Sequence, residues 1–141
     1  MPELRKGMSA ALSIAASGMA TAALRLQVSA SNVANVLSSG PLPTATNSAD
    51  FPPAYVPLRV IQTDVAGGGT RGIIGAMSPS YMAIYDPTAP YADARGMVAA
   101  PNVDLVTELI QQMMASYTFA ANARVARADA RMTRTLLDMT A

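Results

Sequence analysis

Proline decides where this chain can be helical. Nine of its ten prolines lie between Ser38 and Pro101, at positions 41, 43, 52, 53, 57, 79, 87, 90 and 101. Proline removes a backbone donor and clashes with the preceding turn, so no long helix runs through such a stretch. Beyond Pro2 the two flanks contain none. Long helices therefore belong at the ends, and the middle is left to loops, turns and short strands.

Both flanks carry helical periodicity. In the first, Leu12, Met19, Leu26 and Val33 recur every seven residues, with Ala15, Ala22, Ser29 and Val36 between them. That is the 3–4 alternation of a helix packed along one seam. From Met8 to Val36 it predicts a helix of about 43 Å. Gly18 weakens it by roughly 1 kcal/mol relative to alanine, and Gly40-Pro41 supplies a stop. In the second flank Pro101 fixes the start, Asn102 is the expected N-cap and Asp104 places a negative charge in the first turn. The apolar seam reads Val103, Val106, Ile110, Met113, Tyr117, Ala121, Val125, Ala128, Met132, Leu136 and Met139. Successive four-residue steps locally relax a left-handed supercoil, and the helix would span about 55 Å.

Between them, Ser38 to Pro53 reads as loop and Ala66 to Gly69 as a turn. Tyr55 to Gln62, Ile73 to Met77 and Tyr81 to Tyr85 are short strand candidates. The expected fold is mainly α, with long N- and C-terminal helices packed as a coiled-coil-like pair and a small irregular or β middle region. The expected divisions are 1–37 for the first helix, 38–100 for the Pro/Gly-rich middle and 101–141 for the second helix.

Composition limits what such a chain can do. Its hydrophobic share of 51% leans on alanine and ten methionines, with two phenylalanines and no tryptophan. Alanine removes little apolar area from water, so helices of this kind draw stability from neighbours, and oligomerisation is expected. Histidine and cysteine are absent. Imidazole and thiolate chemistry, and with them ordinary zinc and haem sites, are excluded. No catalytic, metal-binding or cofactor-binding residue and no small-molecule substrate is expected. Asp86 and Asp93 sit in Pro-rich loops with nothing to fix a catalytic geometry. Gly67 to Gly69, followed by Thr70 and Arg71, lack the lysine and the strand–helix context of a phosphate loop.

Arg124, Arg127, Arg131 and Arg134 share one stripe of the second helix. They read as a charged face toward a neighbouring subunit, with Arg134 one turn from Asp138 and able to pair with it. The alternative is a coiled-coil adaptor whose basic face meets an anionic membrane surface or partner. Nucleic-acid binding is disfavoured, since no aromatics interleave with the arginines and net charge is +1. The methionines at 8, 19, 113, 114, 132 and 139 are explained by packing along the seams. Arg5 and Lys6 before a mild apolar stretch resemble a secretory leader, but Ser9, Ser13, Ser17, Gly18 and Thr21 dilute it and the heptads run on to Val36. No window reaches about 18 consecutive apolar residues, which disfavours a membrane span.

Two motifs at opposite ends carry a resemblance. Ser13-Ile14-Ala15-Ala16-Ser17-Gly18-Met19, Leu24-Arg25-Leu26 and Ser31-Asn32-Val33-Ala34-Asn35 are similar to the N-terminal signature of the flagellar basal-body rod family. Pro101-Asn102-Val103-Asp104-Leu105-Val106, with Glu108, Met113, Tyr117 and Asn122, resembles its C-terminal half. Tyr85-Asp86-Pro87, Pro90, Ala92-Asp93, Gly96 and Val98 resemble the preceding segment of the short proximal-rod subunit. The chain departs from the pattern at Leu37-Ser38-Ser39-Gly40-Pro41 and at Ala89.

The resemblance implies a structural subunit, not an enzyme, located in the basal body in a rod that spans the periplasm. It implies export through the flagellar type III apparatus without a cleaved leader, and helical assembly that transmits motor torque. The implied partners are copies of itself, other rod proteins, the export apparatus and basal-body ring components, with no nucleic acid. On this reading Leu12, Met19, Leu26 and Val33 pack against the helix from Val103 to Met139 and against adjacent subunits. Val106, Ile110, Met113, Tyr117, Val125 and Met132 belong to the same seam, and Asn32 and Asn35 fix helix contacts.

Overall fold

The computed structural model describes residues 2–46 and 48–139, with side chains from Ala10 onward. The side chains of Arg5, Lys6, Met8 and Ser9 therefore lie outside the described residues. Two helices bracket four strands: α1 Pro2–Ala34, β1 Leu58–Asp64, β2 Thr70–Ala76, β3 Tyr81–Tyr85, β4 Met97–Pro101 and α2 Leu105–Asp138. At 33 and 34 residues the helices are each about 50 Å long. The mainly α fold expected from the proline distribution is the one observed.

Contacts divide the chain into two compact units, and both helices contribute to each. One gathers Met1–Gln27, Val60–Ile73 and Gln111–Ala141; the other gathers Val28–Arg59 and Ile74–Ile110.

In the first unit the β1–β2 hairpin leans on α1. Its loop turns through Gly67, Gly68 and Gly69, all at positive φ near 90–100°, a backbone that side chains with a Cβ rarely adopt. The tightness has a second cause, because a Cβ on Gly69 would sit 2.5 Å from Ser17 Oγ. Thr70 N–H donates to Ser17 Oγ at 3.1 Å, the Thr21 and Thr70 hydroxyls are 3.1 Å apart, and Arg25 Nη2 donates to Gln62 Oε1 at 2.7 Å. In the same unit α1 also meets α2. Gly18 is the point of approach, since a Cβ there would lie 2.6 Å from Asn122 Oδ1. The glycine that weakens the isolated helix is what lets α2 pack against it.

In the second unit β3 and β4 form an antiparallel ladder from Tyr81↔Pro101 to Tyr85↔Met97. Gly40 extends it by an isolated bridge to Ala99, with Gly40 N–H to Ala99 O at 3.0 Å and Ala99 N–H to Gly40 O at 2.9 Å. Val98 and Ala99 are buried there with Leu42 and Val28. Phe51 and Tyr91 meet edge to face with centroids 5.7 Å apart. Strand β4, Met97-Val98-Ala99-Ala100-Pro101, has little intrinsic β preference; its burial between β3 and Gly40 makes it a strand.

Two boundary details correct the sequence reading. Asn102 does not cap α2: its N–H donates to Ser80 O and its Nδ2 to Pro79 O. Asp104 is the cap, its carboxylate accepting from Val106 N–H at 3.0 Å and Thr107 Oγ1 at 2.7 Å. Those bonds, the Thr107 hydroxyl first and the Val106 amide next, hold the Asp104 carboxyl below its ordinary value of 3.8. The cap therefore stabilises the fold above that ordinary value, and the contribution is lost as pH falls through the lower folded value. Asp104→Ala should lower the urea midpoint at neutral pH, Asp104→Asn should lower it less, and the gap from wild type should close in acid. An alanine variant whose deficit is the same at both pH values would contradict this.

Candidate assembly interface

The two long helices use their small residues inward. Along α1 the buried positions are Ala15, Thr21, Ala22, Val28, Ser29 and Asn32. Along α2 the inward line is Glu108, Ala115, Asn122, Asp129 and Leu136, each seven residues from the last. In the first unit Asn122 lies against Gly18, and in the second Glu108 lies against Ser29 and Asn32.

A polar network locks this contact in the second unit. Asn32 is 1% exposed and all four of its side-chain bonding positions are filled. Its Nδ2 donates to Glu108 Oε1 at 2.7 Å and to Leu58 O at 2.8 Å. Its Oδ1 accepts from Leu58 N–H and from the Tyr55 hydroxyl, both at 3.0 Å. Ser29 Oγ donates to the Glu108 carbonyl at 3.0 Å. One asparagine thus joins α1, the start of β1 and α2, and a fully satisfied buried network of this kind specifies one arrangement. Asn35 acts locally: its Nδ2 and backbone N–H both donate to Ser31 O, at 2.8 and 3.1 Å, and end α1.

The large residues of the expected seams lie elsewhere. Leu12 and Leu26 are 47% and 41% exposed, and Met19 and Val33 are half-buried. On α2, Val106, Ile110, Met113 and Tyr117 are between 51% and 71% exposed. Val125 and Met132 are likewise exposed, while Val103 is half-buried. The heptads are real, but the contact between α1 and α2 runs on the neighbouring stripe of small and polar side chains. Small residues let the two backbones approach, and the larger apolar residues are left on the outer faces. The chain exposes 9381 Å², against about 6,900 Å² for a self-contained monomer of its mass.

Arg124, Arg127, Arg131 and Arg134 are all exposed. The anticipated Arg134–Asp138 pair is not formed; among the described residues the one ion pair is Arg95–Asp93 at 3.2 Å. Asp86 and Asp93 serve turns. Asp86 Oδ1 accepts from the Thr88 hydroxyl and amide, and Asp93 Oδ1 from the Arg95 and Met97 amides. Among the described residues no group of three or more His, Cys, Asp or Glu side chains could share a metal ion.

Ala10–Ala34 is long and apolar enough to cross a membrane by length and composition. Its Thr21, Ser29 and Asn32 are buried in hydrogen bonds to Thr70, Glu108 and Leu58.

A family model described as the flagellar basal body rod FlgEFG protein C-terminal matches residues 94–139. The flagellar basal-body rod protein FlgC of Salmonella typhimurium is 38% identical over 119 residues, covering 79% of this chain and 82% of the relative. The chain belongs to the FlgC family of flagellar basal-body rod proteins. FlgC of Aquifex aeolicus is 32% identical over 123 residues, covering 79% of this chain and 81% of its own. FlgC of Agrobacterium fabrum is 29% identical over 134 residues and covers 94% of each. Membership places the chain among structural subunits and fits a molecule whose ordered features are helix-packing surfaces.

Proposed function

We propose that this FlgC-family chain builds the basal-body rod through the outer faces of α1 and α2, in contact with copies of itself and with other rod proteins. The observation that carries this reading is the inversion of the helices, with small and polar side chains inward and Leu12, Leu26, Val106, Ile110, Met113 and Tyr117 outward. An outward apolar face of this extent is explained by burial in an assembly. On this reading segments 1–37 and 101–141 are the assembly-forming halves, and 38–100 is a stiffening insert fastened to them by the Asn32 network and the Thr21–Thr70 contact. The rod lies in the periplasm, reached through the flagellar export apparatus, and carries torque through its helices.

The test separates assembly from folding. Val106→Asp and Tyr117→Asp alter exposed sites, so each should leave the stability of the free chain within about 0.5 kcal/mol of wild type. In cells each should abolish swimming, because assembly would bury an unpaired charge. Normal swimming in both variants would sink the reading.

A further inference from the structure

One outward line of α2 changes character half-way. Val106, Ile110, Met113, Tyr117, Ala120, Arg124, Arg127, Arg131 and Arg134 follow one another in strict alternating steps of four and three residues, and all are exposed. Such a line is a second helix-packing seam, on the side of α2 away from the Glu108–Ala115–Asp129 line that is buried. It is about 42 Å long. Its first half is apolar and its second half carries four arginines, none in an ion pair among the described residues.

We propose that this seam docks an amphipathic helix of a different chain, apolar opposite Val106 to Tyr117 and acidic opposite Arg124 to Arg134. The charge inventory argues against a second copy as the occupant. Ala10–Ala34 of α1 contains no Asp or Glu. Within α2, Glu108 and Asp129 are buried, which leaves Asp138 at the far end. Two α2 seams laid side by side would set arginine against arginine when parallel, and arginine against apolar residues when antiparallel. Both arrangements are unfavourable. The remaining acids are dispersed: Asp86 and Asp93 are engaged in turns, and Glu3, Asp50, Asp64 and Asp104 stand singly in the sequence. A partner helix with Asp or Glu at three- and four-residue spacing satisfies both halves of the line at once.

This assignment rests on the rod reading for its location, and the experiment keeps the two apart. A photoreactive phenylalanine analogue is placed at Tyr117, and separately at Arg127, in the full-length chain in flagellated cells. If the Arg127 variant fails to swim, Arg131 takes its place. After illumination, basal bodies are purified and the cross-linked peptides sequenced by mass spectrometry. The expected result is one segment of another chain at both positions, helical in periodicity and acidic in the half that meets the arginine site. Arg124→Glu combined with Arg131→Glu should cut the Tyr117 adduct about tenfold or more, with an unchanged urea midpoint, while the corresponding double lysine variant retains it. Adducts to this chain's own peptides, to lipid or to a segment without acids would overturn the assignment, as would basal bodies that contain the chain without an adduct. Absence of the chain from basal bodies would remove the rod reading and the docking assignment together.

Discussion

Asn32→Asp is expected to destabilise the chain by about 3–5 kcal/mol at neutral pH. The substitution is nearly isosteric, so packing is not the cause. Asn32 Nδ2 is the donor to Glu108 Oε1 and to Leu58 O, and a carboxylate has no proton to give either. It also sets a second negative charge at hydrogen-bond distance from Glu108, at a site 1% exposed to water. The loss is a large fraction of the roughly 5–15 kcal/mol that holds a domain together. Two carboxylates so placed repel one another, and a proton on the introduced aspartate relieves that repulsion. The deficit from wild type should therefore shrink as pH falls, when a shared proton restores one donor. Urea midpoints of wild type, Asn32→Asp and Asn32→Ala across the acid range measure this. An aspartate variant as stable as wild type at neutral pH, or one whose deficit grows in acid, would show that the network does not hold the helices.

Gly40→Ala should be the next most damaging change, at about 2–3 kcal/mol. Adding one methyl group is ordinarily minor, but here a Cβ would lie 2.5 Å from Ala54 N, 2.7 Å from Pro52 O and 2.8 Å from Pro53 C. All three are backbone atoms of a segment containing two adjacent prolines, with no side-chain end to swing aside. Gly40 cannot retreat either, because its N–H and C=O are both bonded to Ala99. Relief requires opening that bridge, so the Ala99 amide should exchange with solvent faster in the variant than in wild type. Unchanged stability and unchanged protection of Ala99 would refute the close-packing account. The glycine that reads in sequence as a helix stop thus owes its place to a backbone contact.

Much of this architecture is legible in the residues, for physical reasons. Proline excludes helix from the middle whatever the tertiary context, so the helical ends are secure. Seven-residue spacing also marks true packing stripes. Spacing alone does not say which stripe faces the partner helix. The larger Leu12–Met19–Leu26–Val33 line looks like the core, yet the Ala15–Ala22–Ser29 line is the one that lets two backbones approach. On α2 the apolar reading takes two four-residue steps at Tyr117, Ala121 and Val125 and so leaves the outward line, which continues through Ala120 into the arginines. Strand β4 is invisible because its alanines acquire strand geometry only from burial. Asn32 is conspicuous as a polar residue beside a seam, but its partners Glu108, Leu58 and Tyr55 are distant in sequence. Asp104 was legible as a first-turn charge; its role as the cap follows from Asn102 being held by Pro79 and Ser80.

The absence of native cysteine permits the most direct test of whether the outer face of α2 is an assembly surface. Single cysteines at Val106 and Tyr117 are labelled with a maleimide, once in the free chain and once in purified basal bodies. Both cysteines should label rapidly in the free chain and at least about tenfold more slowly in the assembled rod, since burial removes access to the thiolate. Equal rates in the two states would contradict it.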